Sequence, residues 1–597
     1  MWILHLIDLL QDERLLIQKL GLDSLLVLRL LKTIIRMLLP AVLLTLPALL
    51  PVYYTAGKSG VVGLDKLSIS NIQADQEIRC WVIALVAFIL DTYFCRLLLI
   101  EFRNILDLRQ AFLHDHSKDS VHLLITELPC QMWDKETLVH VVSSFTNSPV
   151  EVFLPRKSEC DYLERHASAL STKLDAVTHA CPGSKLELLL PSRIRNFSVQ
   201  EFCMRWQAQR LRKCAQEIKS VAIVHFPDLF SAHLALQVRA ASVPTAMEFH
   251  IVEDSVLASM SGIYQSRLTR SLRSLGLTSV ITVLAVFWAI PIALTGLLSQ
   301  LKYLDSLITS LNSLSNAQLS IIQGIVPQIA LSLLMWLFPV IIRFLVKFYP
   351  LPERCRLEVL KLRHYFIFLY TQAFLVVSIS SSVTTMIPEF ISDVQSIPAI
   401  LAKNLPKASN YFYPYMVLQA VSHCVIVLFQ LPEGLYYSCI LRHLRKGHSK
   451  TVEWSSVYAV FTNLISICVS STTRCRLPKL TVVTNLGIVF SVISPVILVV
   501  GLVMFAVFLM VYSYQAIYVL GGDPQSPGLL YWEALHQIFI GIYTKDIFLI
   551  GLFALQNTVG PAMIATLLLG GVALTQSYIH RNFGPLVRCI SAIRCTS

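Results

Sequence analysis

The chain has 597 residues, of which 55% are apolar and 14% charged, with a mean hydropathy of +0.63. Soluble domains carry roughly 25% charged residues, so a purely soluble protein of this length is excluded and many lipid-embedded helices sharing one body are expected. A net charge of +12 would point to an acidic partner in a soluble protein; in a membrane protein the placement of the basic residues carries more information than their sum.

The N-terminus, Met1 to Leu10, is apolar but has no basic start and no small-residue cleavage site, so it reads as mature sequence. Leu15 to Arg36 is amphipathic and admits two readings: a helix lying in the inner membrane interface, or a lead-in to the first span. Crossing a bilayer takes about 20 apolar residues. On that basis about ten spans are predicted, over 34–54, 81–102, 276–298, 319–345, 364–386, 410–431, 480–496, 498–519, 535–556 and 559–580. The seventh and eighth, divided by Ser494-Pro495, are expected to form a tight hairpin. The expected domains are an N-terminal segment with the first two spans (1–104), a cytosolic insert (105–268), the third to tenth spans (269–580) and a cytosolic tail (581–597). Basic residues crowd the segments assigned inside, among them Arg354, Arg356, Lys361, Arg363, Arg442, Arg445 and Lys446. By the positive-inside rule both termini are cytosolic.

Between the second and third spans the chain turns polar. Strands are predicted over 121–128, 150–154, 221–226 and 248–252, with helices over 134–145, 157–179, 198–218 and 228–240. Strand, helix, strand followed by strand, helix, strand is the ferredoxin-like arrangement used by RNA-recognition modules. Lys219 to Phe226 falls on the RNA-binding strand pattern, but Val221 and Ile223 stand where bases would stack and only Phe226 is aromatic; Leu124 stands at the matching place in the first strand. A sheet without aromatic faces cannot stack bases, so no nucleic-acid partner is expected.

The sequence holds 14 cysteines without a C-x-x-C pair, and His114-x-His116 has no accompanying ligands, so no metal site is expected. It has no H-E-x-x-H, G-x-S-x-G or P-loop string; no catalytic residue, cofactor or enzyme activity is expected.

Several strings in order resemble one family. They are Gly21-Leu-Asp23, Leu50-Pro51-Val52, Gly63 to Asn71, Glu101 with Arg109 to Leu113, Phe287 to Pro291, Gln323 to Pro327, Leu337-Phe-Pro339, Tyr365 to Phe368, Leu405 to Ala408, and Phe490 to Pro495. Together they are similar to the OSCA family of calcium-permeable, stress-gated cation channels, including its fungal members. The resemblance implies an anoctamin- and TMC-like helical fold with an RNA-recognition-like cytosolic domain, and a pore within each subunit formed by the third to seventh spans. It also implies gating by membrane tension or osmotic stress, homodimers joined through the cytosolic domain, and the plasma membrane as the location. Permeant cations including calcium, and membrane lipids, are the implied partners. A lipid scramblase on the same fold and a secondary transporter are the alternatives. Ala420-Val421-Ser422 stands where the resemblance implies a glycine, and Ser456 to Ser470 matches nothing in the pattern. The family's extra N-terminal span has no counterpart.

Gln323, Gln328, Gln372, Gln419, Ser422, His423 and Asn485 are the candidate pore-lining residues, because hydroxyls, amides and imidazole can replace part of an ion's hydration shell. Interhelical hydrogen bonding is the competing reading. Pro291, Pro327, Pro339 and Pro495 are candidate helix breaks. Asp91, Lys545 and Asp546 lie at membrane depth, where ionisable groups are costly; they are either paired structurally or part of an ion or proton relay.

Overall fold

The computed structural model describes residues 22–57, 63–73, 76–115, 122–129, 134–146, 150–153, 221–238, 246–251, 267–288, 290–291, 333–335, 337–346, 348–349, 354–372, 397–429, 472–518 and 528–588. The apolar helices form one compact unit, and a small sheet with its two helices forms a second.

In the first unit α1 runs Leu22–Tyr54 and α2 runs Glu77–Asp115. After the sheet the chain continues as α5 (Arg267–Phe287), α6 (Arg354–Thr371), α7 (Ile397–Leu428), α8 (Thr472–Ile493), α9 (Val496–Tyr518), α10 (Leu529–Leu555) and α11 (Val559–Arg588). Six of the described helices, α1, α2, α5, α9, α10 and α11, are long and apolar enough to cross a membrane. Leu333–Val346, Phe412–Leu428 and Leu477–Ile493 are shorter apolar stretches. The expected spans over 319–345 and 364–386 lie in large part outside the described residues, as does the unmatched stretch 456–470.

The first helix begins earlier than its apolar run suggested. Residues 22–36 continue into the span and are packed inside the unit, with Leu30, Leu31 and Ile34 fully buried, so this part of the amphipathic segment is the first turns of α1 and not an interfacial helix. Arg29 in this segment is paired with Glu101 of α2. Pro40, Pro47 and Pro51 lie inside α1. A proline lacks the N–H that would bond the carbonyl four residues back; for Pro40 that carbonyl is Arg36 O, and the Tyr93 hydroxyl donates to it at 2.7 Å. The carbonyls at the end of α1 are capped from the connecting segment and the start of α2: Asn71 Nδ2 donates to Tyr53 O at 2.7 Å, and Arg79 Nη2 donates to Thr55 O, just past the helix, at 2.9 Å. A cation is favourable at this end of the helix dipole.

Helices α8 and α9 are joined by Ser494-Pro495 alone, and they fold back on each other. Gly487 and Gly501 lie on opposite sides of the turn, seven residues before Ser494 and six after Pro495. In one continuous helix they would be about 21 Å apart, yet the two methyls of Leu38 pack against both of them. The Val492 carbonyl near the turn accepts from the Tyr53 hydroxyl at 2.5 Å. Pro495 therefore stands at a hairpin apex, as its place between two spans suggested.

In the second unit β1 (His122–Thr126), α3 (Lys135–Thr146), β2 (Glu151–Phe153), β3 (Ala222–His225), α4 (Leu229–Gln237) and β4 (Glu248–Ile251) follow in order. The sheet has the strand order β2-β3-β1-β4, antiparallel throughout. Side chains alternate between its faces. Leu123, Ile125, Val152, Ala222 and Val224 pack with Leu138 and Val142 of α3 and Ala232 and Ala235 of α4. The predicted helices over 157–179 and 198–218 lie outside the described residues. On the other face the rings of His122 and His225, directly paired across β1 and β3, lie 4.5 Å apart. Phe226, the one aromatic that matched the stacking pattern, is fully buried in the core and is not on an open face. Phe226→Ala is expected to destabilise this unit by about 3–5 kcal/mol; hydrogen exchange of the β1 and β3 amides in the full chain reads the loss, and unchanged protection would contradict the packing.

Candidate functional site

The polar interior of the helical unit is built around α2 and α10. Their contacts step in opposite directions: Cys80 with Gln556, Asp91 with Lys545, and Phe102 with Trp532. The two helices are thus antiparallel neighbours along these three levels.

Two ionic networks are buried along this seam. In one, Glu101 of α2 is ion-paired with Arg29 of α1 and accepts a hydrogen bond from the Tyr531 hydroxyl of α10 at 2.9 Å. One acid and one base balance there. Deeper in the span, Lys545 of α10 is hydrogen-bonded to Asp91 of α2, and its ammonium lies 3.4 Å from Asp546 Oδ1. All three side chains are excluded from solvent, with Lys545 and Asp546 at 0% and Asp91 at 2% exposure. Here two acids face one base, and Asp91 Oδ2 and both Asp546 oxygens have no hydrogen-bond donor. The structure therefore brings together the three charges that the sequence marked separately at membrane depth. Glu101, like Asp91, is an acid within the expected second span, one residue from its end.

A third ion pair, Arg363 of α6 to Glu533 of α10, is bidentate at 2.7 and 2.9 Å. With 55% of the Arg363 side chain in solvent, water screens it and it contributes little.

The candidate pore residues Gln323 and Gln328 and the candidate helix break Pro327 lie outside the described residues. Gln372 is buried and donates to Ala285 O of α5 at 3.1 Å, leaving its Oε1 without a donor. His423 Nε2 of α7 is 2.6 Å from the Tyr512 hydroxyl of α9. Asn485 of α8 donates to Gln537 O of α10 at 2.9 Å, and Thr481 donates to Gln537 Oε1 at 2.8 Å. These bonds link neighbouring helices. Gln419 and Ser422 of α7 are half-buried, and Ser422 donates to Leu418 O at 2.7 Å within its own helix. Pro291 and Pro339 are half-buried in helical segments. The helix α7 runs unbroken through Ala420-Val421-Ser422.

Asn485 also marks a close helix crossing. A Cβ on Gly541 of α10 would lie 2.6 Å from Asn485 Oδ1 and 3.0 Å from its Cα, so only glycine lets α8 and α10 approach this far.

The apolar helices, with charged and amide groups buried between them, define a multi-pass α-helical membrane protein. Comparison with known proteins gives the family. A model described as calcium-dependent channel, 7TM region, matches residues 273–553, and one described as late exocytosis, associated with Golgi transport, matches residues 1–101. An uncharacterized membrane protein of Schizosaccharomyces pombe is 28% identical over 98% of this chain and 71% of its own length. The phosphate metabolism protein 7 of Saccharomyces cerevisiae is 30% identical over 53% of this chain, a match that takes in 31% of that protein. The hyperosmolality-gated Ca2+ permeable channel 1.8 of Arabidopsis thaliana is 22% identical over 97% of this chain and 74% of its own length. The chain belongs to the OSCA family of calcium-permeable channels. Its relatives of assigned activity are channels, which sets the chain apart from enzymes.

Proposed function

We propose that the chain is a mechanosensitive or osmosensitive, calcium-permeable cation channel with a pore inside each subunit. The observation that carries this reading is the match of the calcium-dependent channel region to residues 273–553, which takes in α6 to α9 and most of α5 and α10. On this reading ten spans cross the bilayer, the third to seventh enclose the pore, and residues 105–268 form a ferredoxin-like cytosolic domain through which two copies join. Both termini face the cytosol and the protein resides in the plasma membrane, where lipids transmit the force. Tension can shift a channel only between packings of different membrane area. The half-buried Gln419 and Ser422 are the described candidates best placed for a wet wall, while Gln372, His423 and Asn485 hold neighbouring helices in register through their hydrogen bonds.

The test is the full chain reconstituted into liposomes and held in excised patches under suction. Stretch-evoked currents carried by calcium are expected. Silent patches from vesicles whose fluorescent lipids equilibrate between leaflets would overturn the reading in favour of a scramblase.

A further inference from the structure

The ionic cluster of Asp91, Lys545 and Asp546 does not balance. Three ionised groups would leave one uncompensated negative charge fully buried, and an isolated carboxylate in a low-dielectric interior is prohibitively expensive. Asp91 and Asp546 both lie against the one Lys545 ammonium, Asp546 Oδ1 at 3.4 Å, and none of Asp91 Oδ2, Asp546 Oδ1 and Asp546 Oδ2 meets a hydrogen-bond donor. Two buried carboxylates that share one base repel each other, which favours a proton on one of them.

Among the described residues, the other titratable groups facing the cluster are Cys95 of α2 and Tyr543 of α10. The Tyr543 hydroxyl donates to Gln576 Oε1 of α11 at 2.6 Å, so α11 presents a neutral group here. Neither Cys95 nor Tyr543 supplies the missing positive charge. A metal cation would need several converging ligands, and among the described residues no group of three or more His, Cys, Asp or Glu side chains is placed to hold one. A proton needs a single lone pair.

We propose that Asp91 and Asp546 share one proton beside Lys545, forming a proton-binding site inside the membrane that ties α2 to α10. The proton belongs to the pair and not to either acid alone. Its loss leaves two adjacent anions on one ammonium, so the seam between the two helices loosens. The unfolded chain, whose carboxyls titrate near 4, binds no proton there at neutral pH. The folded state thus holds one proton more than the unfolded, and stability falls as pH rises through the release of that proton.

The experiment is infrared spectroscopy of the detergent-purified full chain at neutral pH. The wild type is expected to show a protonated-carboxyl carbonyl band that shifts in D2O and is lost as pH is raised. In Asp546→Asn, whose amide stands for the protonated acid and leaves the Lys545–Asp91 pair intact, the band is expected to vanish. The thermal midpoint of this variant should also lose the wild type's decline as pH rises from the unfolded carboxyl range to the release of the shared proton. The wild-type measurement needs no variant to fold. Absence of the band in the wild type, its persistence in Asp546→Asn, or a midpoint that follows sodium in place of pH would overturn the proposal. None of these readouts depends on currents, so the result stands apart from the channel reading.

Discussion

Lys545→Met is expected to destabilise the helical unit by about 3–5 kcal/mol, the cost of leaving buried acids without their base. The size follows from where the charge sits. Lys545 is wholly excluded from solvent and is the only base in contact with Asp91 and Asp546 among the described residues. Methionine keeps the length and the apolar stem of the side chain, so the loss reports charge and not packing. The triple change Asp91→Asn, Lys545→Met, Asp546→Asn removes all three charges and is expected to regain most of the stability, since uncharged replacements of a buried ionic cluster are often neutral or stabilising. Thermal unfolding of the full chain in detergent reads both. If the single change melts at the wild-type temperature, the cluster is not buried as described.

Gly541→Ala is the second large effect, expected to cost about 1–3 kcal/mol by overpacking, with Gly541→Val worse. Its new methyl meets both the amide and the backbone Cα of Asn485, and a backbone atom cannot step aside without moving α8. The shift also breaks the Asn485 to Gln537 hydrogen bond of 2.9 Å and strands two buried amides. Gly560→Ala is the control. Its Cβ would come within 2.4 Å of the Trp81 ring, a nominally tighter contact, but Trp81 is 45% exposed and the ring can swing outward. That change should remain within about 0.5 kcal/mol. Equal losses from the two alanines, measured as thermal midpoints, would show that α8 and α10 do not cross at Asn485.

Much of this architecture was legible before any coordinates. Apolar runs located the helices because lipid demands length and composition together, and the order of short strand and helix runs between the second and third spans located the four strands. The hairpin at Ser494-Pro495 was legible because two apolar runs met with no room for a loop. Other features depended on partners distant in sequence. Asp91 and Lys545 are 454 positions apart, so the sequence marked each as costly without showing that one neutralises the other. Which of the two readings of the segment before the first span holds for residues 22–36 likewise depended on a distant partner, since Arg29 looks like an interfacial residue until Glu101 is seen beside it. The amides were the hardest to assign. A glutamine or asparagine in a span has the same composition whether it faces water or a neighbouring helix, and only the bonds of Gln372 and Asn485 show that these two link helices.

The most direct measurement of the central claim is calcium entry into indicator-loaded vesicles bearing the full chain, after a step in external osmolality. Entry that appears only with the protein, scales with the step and carries cations is the predicted result. Vesicles that exclude calcium under every osmotic step, with the protein folded and inserted, would contradict it.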